Sequence, residues 1–356
     1  QYGLKAKPRR VAKFDALSTG TFIHYVLEHA LDTLGKCEGG AAHADQPTVR
    51  KACREAVRQY VAEELGGLEN KTARFQYLFR RLVRAVEQIL DNVIEELRVS
   101  DFAPIDYELD FSRSGDLPPV QCEDGDVSVS LSGKVDRVDG WIKDGKLYLR
   151  VVDYKTGQKA FDLSDVRYGL GIQMLLYLFA LQKEGSGYFG MPVVPAGVLY
   201  TPAREIISRE DRSIPPEKLE AVLRRKLRRT GMLLSEPEVL RAMEHSALEK
   251  PCYLPIGKVT DGQPAALLPN LLVDTAEMGR MARYIDSLLH RVAREIGDGN
   301  IDADPCTRGP QDSACTWCAF RAACWFDEKR DKPRYLRKIT PEEFWQTVDR
   351  EVEHHG

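Results

Sequence analysis

The chain of 356 residues lacks any apolar run long enough to cross a bilayer as a helix, any internal repeat, and any recognisable signal peptide. Those absences set aside a helical membrane protein, a solenoid and a secreted disulfide scaffold. Charge of one sign is lacking too. Lys and Arg number 51 against 54 Asp and Glu, for a net −3, so no global attraction draws the chain to a polyanion. Nucleic-acid contact would have to come from local patches, and the basic runs Arg224–Arg229 and Lys5–Arg10 are the candidates. Four of the eight cysteines, Cys37, Cys53, Cys122 and Cys252, show no pairing pattern. A content of 43% hydrophobic and 29% charged residues is that of a globular protein with a sizeable core.

The most informative feature is a β-hairpin. Residues 133–142 and 147–155 are strand-like runs joined by Lys143-Asp144-Gly145-Lys146, and Asp-Gly is the strongest short hairpin signal. With Asp144 and Gly145 at the turn, Lys143 opposes Lys146, and counting back brings Val138 opposite Val151 and Asp136 opposite Asp153. The face bearing the two aspartates is otherwise apolar. The reverse face carries Asp139 opposite Arg150, a favourable cross-strand pair. Two directly opposed carboxylates sit roughly 5 Å apart at Cβ and repel, so something positive should lie between them. A hard divalent cation such as Mg²⁺ or Mn²⁺ meets that need, and Lys155, on the same strand face as Asp153, can hold a water or a phosphate oxygen beside it. This is the equipment of metal-assisted phosphodiester hydrolysis.

Downstream, residues 165–183 read as one helix with a centre apolar almost all round. Its polar exceptions, Gln173 and Tyr177, are four apart and share a face that can point toward the aspartates.

The runs Gly133-Lys134-Val135-Asp136-Arg137-Val138-Asp139, Val152-Asp153-Tyr154-Lys155-Thr156-Gly157 and Gln173-Met174-Leu175-Leu176-Tyr177 resemble the motifs of RecB-type nucleases of the PD-(D/E)xK superfamily. Gly20-Thr21-Phe22-Ile23-His24 is similar to the Gly-x-x-x-His element of the same group. The resemblance implies that His24, Asp136 and Asp153 are metal ligands, that Lys155 assists the attacking water, and that Gln173 and Tyr177 position DNA or the lysine. Glu108 matches a strand acidic residue that often precedes this core. Without the motif, His24 and His29 would read as packing residues on a helix that Ser18 or Thr19 could cap.

Near the C-terminus, Cys315-x2-Cys318-x5-Cys324, with Cys306 upstream, has metal-binding spacing. Four thiolates suit Zn²⁺ and an iron–sulfur cluster equally, and spacing does not separate them. The three downstream cysteines resemble those that hold a 4Fe-4S cluster in AddB-type helicase–nuclease subunits, where a fourth ligand precedes the Gly-x-x-x-His helix. Here that region, Gln1–Arg10, has no cysteine and no initiator Met, so the expectation is a piece of a longer subunit, with Cys306 as a conceivable substitute ligand. The resemblance further implies DNA cleavage on the 5′-ended strand, an AddA-type helicase partner, and a cytoplasmic role in bacterial double-strand break repair.

The expected fold is α/β, a PD-(D/E)xK core with a central mixed sheet flanked by helices, plus helical additions and a C-terminal cysteine segment. It is divided as one RecB-like nuclease domain: helical 1–100, with helices at 19–34, 48–65 and 72–99; catalytic sheet and helix at 104–202; a mainly helical addition at 203–297, with helices at 215–243 and 273–296; the cysteine segment at 298–335; and a tail at 336–356. Two rival functions stand beside it: a free-standing iron–sulfur exonuclease, and a non-catalytic DNA-binding scaffold with zinc in its cysteine segment. The opposed aspartates with Lys155 argue against the scaffold.

Overall fold

The computed structural model describes residues 16–157, 161–204, 215–260, 263–267, 270–309, 312–327 and 330–355. Three helices come first: α1 (Ala16–Gly35), α2 (Gln46–Glu63) and α3 (Ala73–Leu97). The Asp45 side chain accepts the Thr48 amide at the start of α2, and Thr72 accepts that of Phe75 at the start of α3, so each cap satisfies an otherwise orphaned donor. Along α1, Phe22, Ile23, Val26, Leu27, Ala30, Leu31 and Leu34 recur at helical spacing and are all buried. With apolar residues of α2 and α3 they form one core; Phe22 meets Tyr60 and Phe79 edge-on at 5.0 and 5.2 Å.

The central sheet has the order β1-β4-β5-β6-β7-β10, from β1 (Ala103–Phe111), β4 (Gly133–Lys143), β5 (Lys146–Lys155), β6 (Val193–Pro202), β7 (Thr230–Leu234) and β10 (Leu271–Val273). It is mixed as expected: β5 with β6 and β7 with β10 are parallel, and the remaining pairs antiparallel. The β5–β6 crossover carries α4 (Leu163–Arg167) and α5 (Gln173–Phe189). The second core lies between the sheet and α5, α8 (Thr275–Gly297) and α10 (Pro341–His355). Tyr154 and Ala203 belong to the first core and Val151 and Val198 to the second, so the sheet separates the two.

Several expected boundaries change. The helix anticipated over 165–183 is two helices, because Gly169 and Gly171 adopt φ values of 74° and 66°, left-handed conformations that interrupt helical hydrogen bonding. Gln173 therefore opens α5 instead of lying within a helix. The helix anticipated over 215–243 is α6 (Pro216–Leu227), strand β7 and α7 (Pro237–Met243). A Cβ on Gly231 would lie 1.9 Å from the Val198 carbonyl oxygen, so glycine there lets β7 approach β6. A second Asp-Gly hairpin, β2 (Val120–Asp124) with β3 (Val127–Leu131), turns at Gly125 and was not anticipated. Nor was the helical form of the tail, which buries Phe344 and Val348. Smaller strands β8 (Ile256–Thr260), β9 (Gln263–Ala266), β11 (Cys306–Gly309), β12 (Asp312–Ser313) and β13 (Arg334–Tyr335), with short helix α9 (Arg321–Cys324), complete the fold.

The reverse face of the hairpin is wholly buried against α3. Arg137 grips Asp139 through Nε and Nη2 at 2.8 and 3.0 Å, and Arg150 Nε reaches the same carboxylate at 2.8 Å. Glu96 of α3 lies 3.3 Å from Arg150 and 2.6 Å from Arg229, whose Nη1 also bonds Asn92 at 2.6 Å. Burial alone would raise the Glu96 carboxyl, but Arg229, Arg150 and Arg137 overcome it and hold the group at about 2. Three guanidiniums thus face two carboxylates, and the Tyr154 hydroxyl accepts from Arg137 Nη1 at 2.7 Å.

Candidate active site

The turn has the geometry its sequence demands. Asp144 and Gly145 take φ values of 49° and 71°, the double positive φ of a type I′ turn. The ladder then runs in the expected register from Lys143 opposite Lys146, through Asp139 opposite Arg150, to Arg137 opposite Val152. Asp136 and Asp153 lie one residue beyond that last pair. The Asp136 carboxylate accepts the Tyr154 amide at 2.8 Å. Asp153 is 8% exposed, and burial first, then the neighbouring Asp136, pushes its carboxyl up, opposed by Lys155, whose Nζ is 2.5 Å from Asp153 Oδ2.

On α1, His24 reaches the same strand ends. Its Nδ1 lies 3.3 Å from Asp136 Oδ1 and its Nε2 2.8 Å from the Tyr154 carbonyl. Both nitrogens face acceptors, which favours the doubly protonated ring. Desolvation works against that charge, but Asp136 and the carbonyl outweigh it and raise the imidazole to about 9. Tyr154 is consequently fixed at its amide, carbonyl and hydroxyl, by Asp136, His24 and Arg137 respectively.

Glu108 joins them from β1. It has φ 47°, a left-handed conformation that costs a side-chain-bearing residue about 1–3 kcal/mol and marks sites where geometry is held by its surroundings. Tyr107 and Leu109 still pair with Arg137 and Val135, leaving Glu108 beside Asp136. Burial, then Asp136, raises its carboxyl. One ligand atom each of His24, Glu108 and Asp136 lies within 4.8 Å of the others, the one such metal-competent group among the described residues. Asp153 flanks this triplet without being part of it.

The α5 pair is also nearby. Gln173 Nε2 donates to the Tyr177 hydroxyl at 3.1 Å, and Tyr177 stacks on Phe111 at 5.0 Å. That hydroxyl occupies the space a Cβ would take on Gly133, at 1.8 Å, so the motif glycine admits the tyrosine to the start of β4. His29 instead stacks on Tyr25 and faces Glu28 at 3.6 Å, away from the strand ends.

The other expectations are not gathered here. Cys306 opens β11, Cys315 lies in a short 3-10 turn, and Cys318 and Cys324 are exposed; all are free thiols that form no close ligating group among the described residues. In the basic run of α6, Arg229 is consumed by the buried cluster, and Arg228 donates to the carbonyls of Pro251 and Ile256. Lys5–Arg10 lies outside the described residues. Sequence reasoning also overlooked the threefold hold on Tyr154, although its place in Asp-Tyr-Lys, facing away from both charged neighbours, was a usable signal.

A mixed sheet whose strand ends gather two aspartates, a glutamate, a histidine and a lysine defines a class, the metal-competent nuclease core. The pattern of the PD-(D/E)XK nuclease superfamily matches residues 1–325, and the chain belongs to that superfamily. Among curated proteins it is similar to the B subunit of the ATP-dependent helicase/deoxyribonuclease of Acetivibrio thermocellus, 33% identical over 361 residues that take in 99% of this chain and 31% of that protein. The corresponding protein of Clostridium acetobutylicum is 29% identical, covering 100% of this chain and 31% of the relative, and that of Ruminiclostridium cellulolyticum 30% identical, covering 98% and 30%. The chain thus spans about a third of the length of these relatives.

Proposed function

We propose that this chain is a single divalent-metal-dependent deoxyribonuclease domain, an exonuclease acting on DNA ends in bacterial double-strand break repair. The observation that carries the reading is the convergence of His24, Glu108, Asp136, Asp153 and Lys155 on one end of the β4–β5 hairpin. Carboxylate oxygens with one imidazole suit a hard cation such as Mg²⁺ or Mn²⁺. When bound, such an ion activates water and neutralises charge on the scissile phosphate. Asp136, Asp153 and His24 hold it, with Glu108 as a further carboxylate. Lys155 orients the attacking water and shuttles its proton, while Gln173 and Tyr177 position the strand or the lysine. The names of the relatives support a cytoplasmic helicase–nuclease assembly with DNA as substrate and an AddA-type subunit as partner. Cys315, Cys318 and Cys324 supply three thiolates toward a 4Fe-4S cluster, with Cys306 or a residue elsewhere in the longer protein as the fourth ligand.

Cleavage of linear single-stranded DNA in Mn²⁺ tests the reading. The purified chain should digest the strand, EDTA should stop it, and Asp153→Asn should be inactive while retaining its thermal unfolding profile. Undiminished cleavage by Asp153→Asn would refute it.

A further inference from the structure

The N-terminal half of α3 carries a pattern that folding does not require. From Lys71 to Arg84 the chain places five cations, Lys71, Arg74, Arg80, Arg81 and Arg84, and no carboxylate, within a protein of net charge −3. Arg74, Arg80, Arg81 and Arg84 are exposed, and among the described residues no partner is found for Arg74, Arg80 or Arg84. Arg80 and Arg84 are four apart, where like charges on a helix repel, and Arg74 lies in the first turn, where the helix dipole disfavours a cation. Two large apolar side chains share this ridge in the open, Tyr77 at 55% and Leu78 at 39% exposure. The helix therefore tolerates electrostatic repulsion and uncovered apolar surface on one stripe while its opposite face is well packed.

Beside the stripe runs a groove of about 290 Å³. Leu78 and Arg81 form its α3 edge, Ile23 and Ala203 lie along it, and Thr156 and Arg204 close the other side. Thr156 follows Lys155 directly, and Ile23 precedes His24, so the groove opens onto the proposed catalytic end of the sheet. A row of guanidiniums over an apolar strip fits a polyanion with flat, unpaired bases: phosphates meet the arginines, and bases lie against Tyr77 and Leu78.

We infer that the Lys71–Arg84 face of α3, with this groove, is the track along which single-stranded DNA reaches the strand ends. The inference rests on the nuclease reading above and names the surface that delivers its substrate. The basic run of α6 is not that surface, since Arg228 and Arg229 are tied into the fold.

The test measures binding without cleavage, so that its outcome is separate from that of catalysis. Fluorescence anisotropy of a labelled oligo-dT in EDTA is recorded from low to moderate salt for the full chain, for Arg80→Glu/Arg84→Glu, and for a charge-matched Arg224→Glu/Arg225→Glu. The α3 variant should bind at least ~10-fold more weakly, with the magnitude of its log K against log salt slope reduced by ~0.7 for each phosphate no longer neutralised. The α6 variant should bind like the wild type. Tyr77→Ala should weaken binding with an unchanged salt slope, and unaltered thermal unfolding of each variant confirms the fold. Equal losses in the α3 and α6 variants, an unchanged affinity for Arg80→Glu/Arg84→Glu, or a loss as large on blunt duplex as on single strand would each overturn the proposal. Failure of the wild type to cut DNA would sink the nuclease reading and leave the binding result standing.

Discussion

Metal binding at the strand ends should be coupled to a proton on His24. In the metal-free protein both ring nitrogens face acceptors, at 3.3 Å from Asp136 and 2.8 Å from the Tyr154 carbonyl, and the ring is raised to about 9. A ligating imidazole must be neutral, so a cation that takes His24 as a ligand has to displace that proton. At pH 7.5 the ring is ~97% protonated, and removing the proton costs about 2 kcal/mol, from 1.5 pH units at about 1.36 kcal/mol each. Affinity should therefore rise about tenfold per pH unit between pH 7 and 9 and level off above that, with close to one proton released per ion at pH 7.5. Calorimetric titration with Mn²⁺ under inert gas, at several pH values and in two buffers of different ionisation enthalpy, reads both quantities. His24→Ala should flatten the climb. The same shift gives the apo protein a stability term with a definite sign: since the folded ring is raised above its unfolded value, the contribution is complete below about pH 6.5 and is lost as pH rises through about 9. Its full size is about 3 kcal/mol. An affinity constant across pH 7–9 with no proton release would refute the reasoning.

Three further outcomes are expected. Lys155→Met should lower the cleavage rate by about two to four orders of magnitude while Mn²⁺ affinity holds or improves, because the ammonium 2.5 Å from Asp153 competes with the metal; calorimetry showing a large loss of affinity would make Lys155 structural. In the buried cluster, Glu96→Gln leaves three guanidiniums facing one carboxylate and should cost about 3–5 kcal/mol in urea unfolding, whereas Arg229→Met balances the charges and should cost clearly less. Because the folded Glu96 carboxyl is depressed to about 2, its contribution is present above the unfolded carboxylate value and fades as pH falls toward 2, which acid unfolding of wild type and Glu96→Gln compares. Iron, zinc and sulfide analysis should show Cys318→Ser lowering metal content and Cys306→Ser leaving it unchanged; loss of a stoichiometric cluster in Cys306→Ser would place the fourth ligand within β11.

The hairpin was legible because its information is local. Asp144-Gly145 specifies the turn, the turn specifies the register, and period-2 alternation then sets Asp139 against Arg150 and brings Asp136 and Asp153 to the same strand ends. The helices α1, α2, α3 and α8 were legible for the same reason, since their apolar period and caps lie within each segment. Residues 230–234 were not: Met232-Leu233-Leu234 is too short an apolar run to separate strand from helix, and only the Gly231 backbone against Val198 resolves it. The motif residues announced the acidic pair and Lys155, but not the geometry that binds them to His24 and Glu108. Glu108 enters through a left-handed backbone that no propensity favours, and it persists because β1 is held on both sides of it by β4. Arg137, Asp139 and Arg150 read in sequence as ordinary strand charges. They became a buried cluster only because Glu96 and Arg229, far from the hairpin along the chain, fold over that face and supply the partners without which the charges could not leave water.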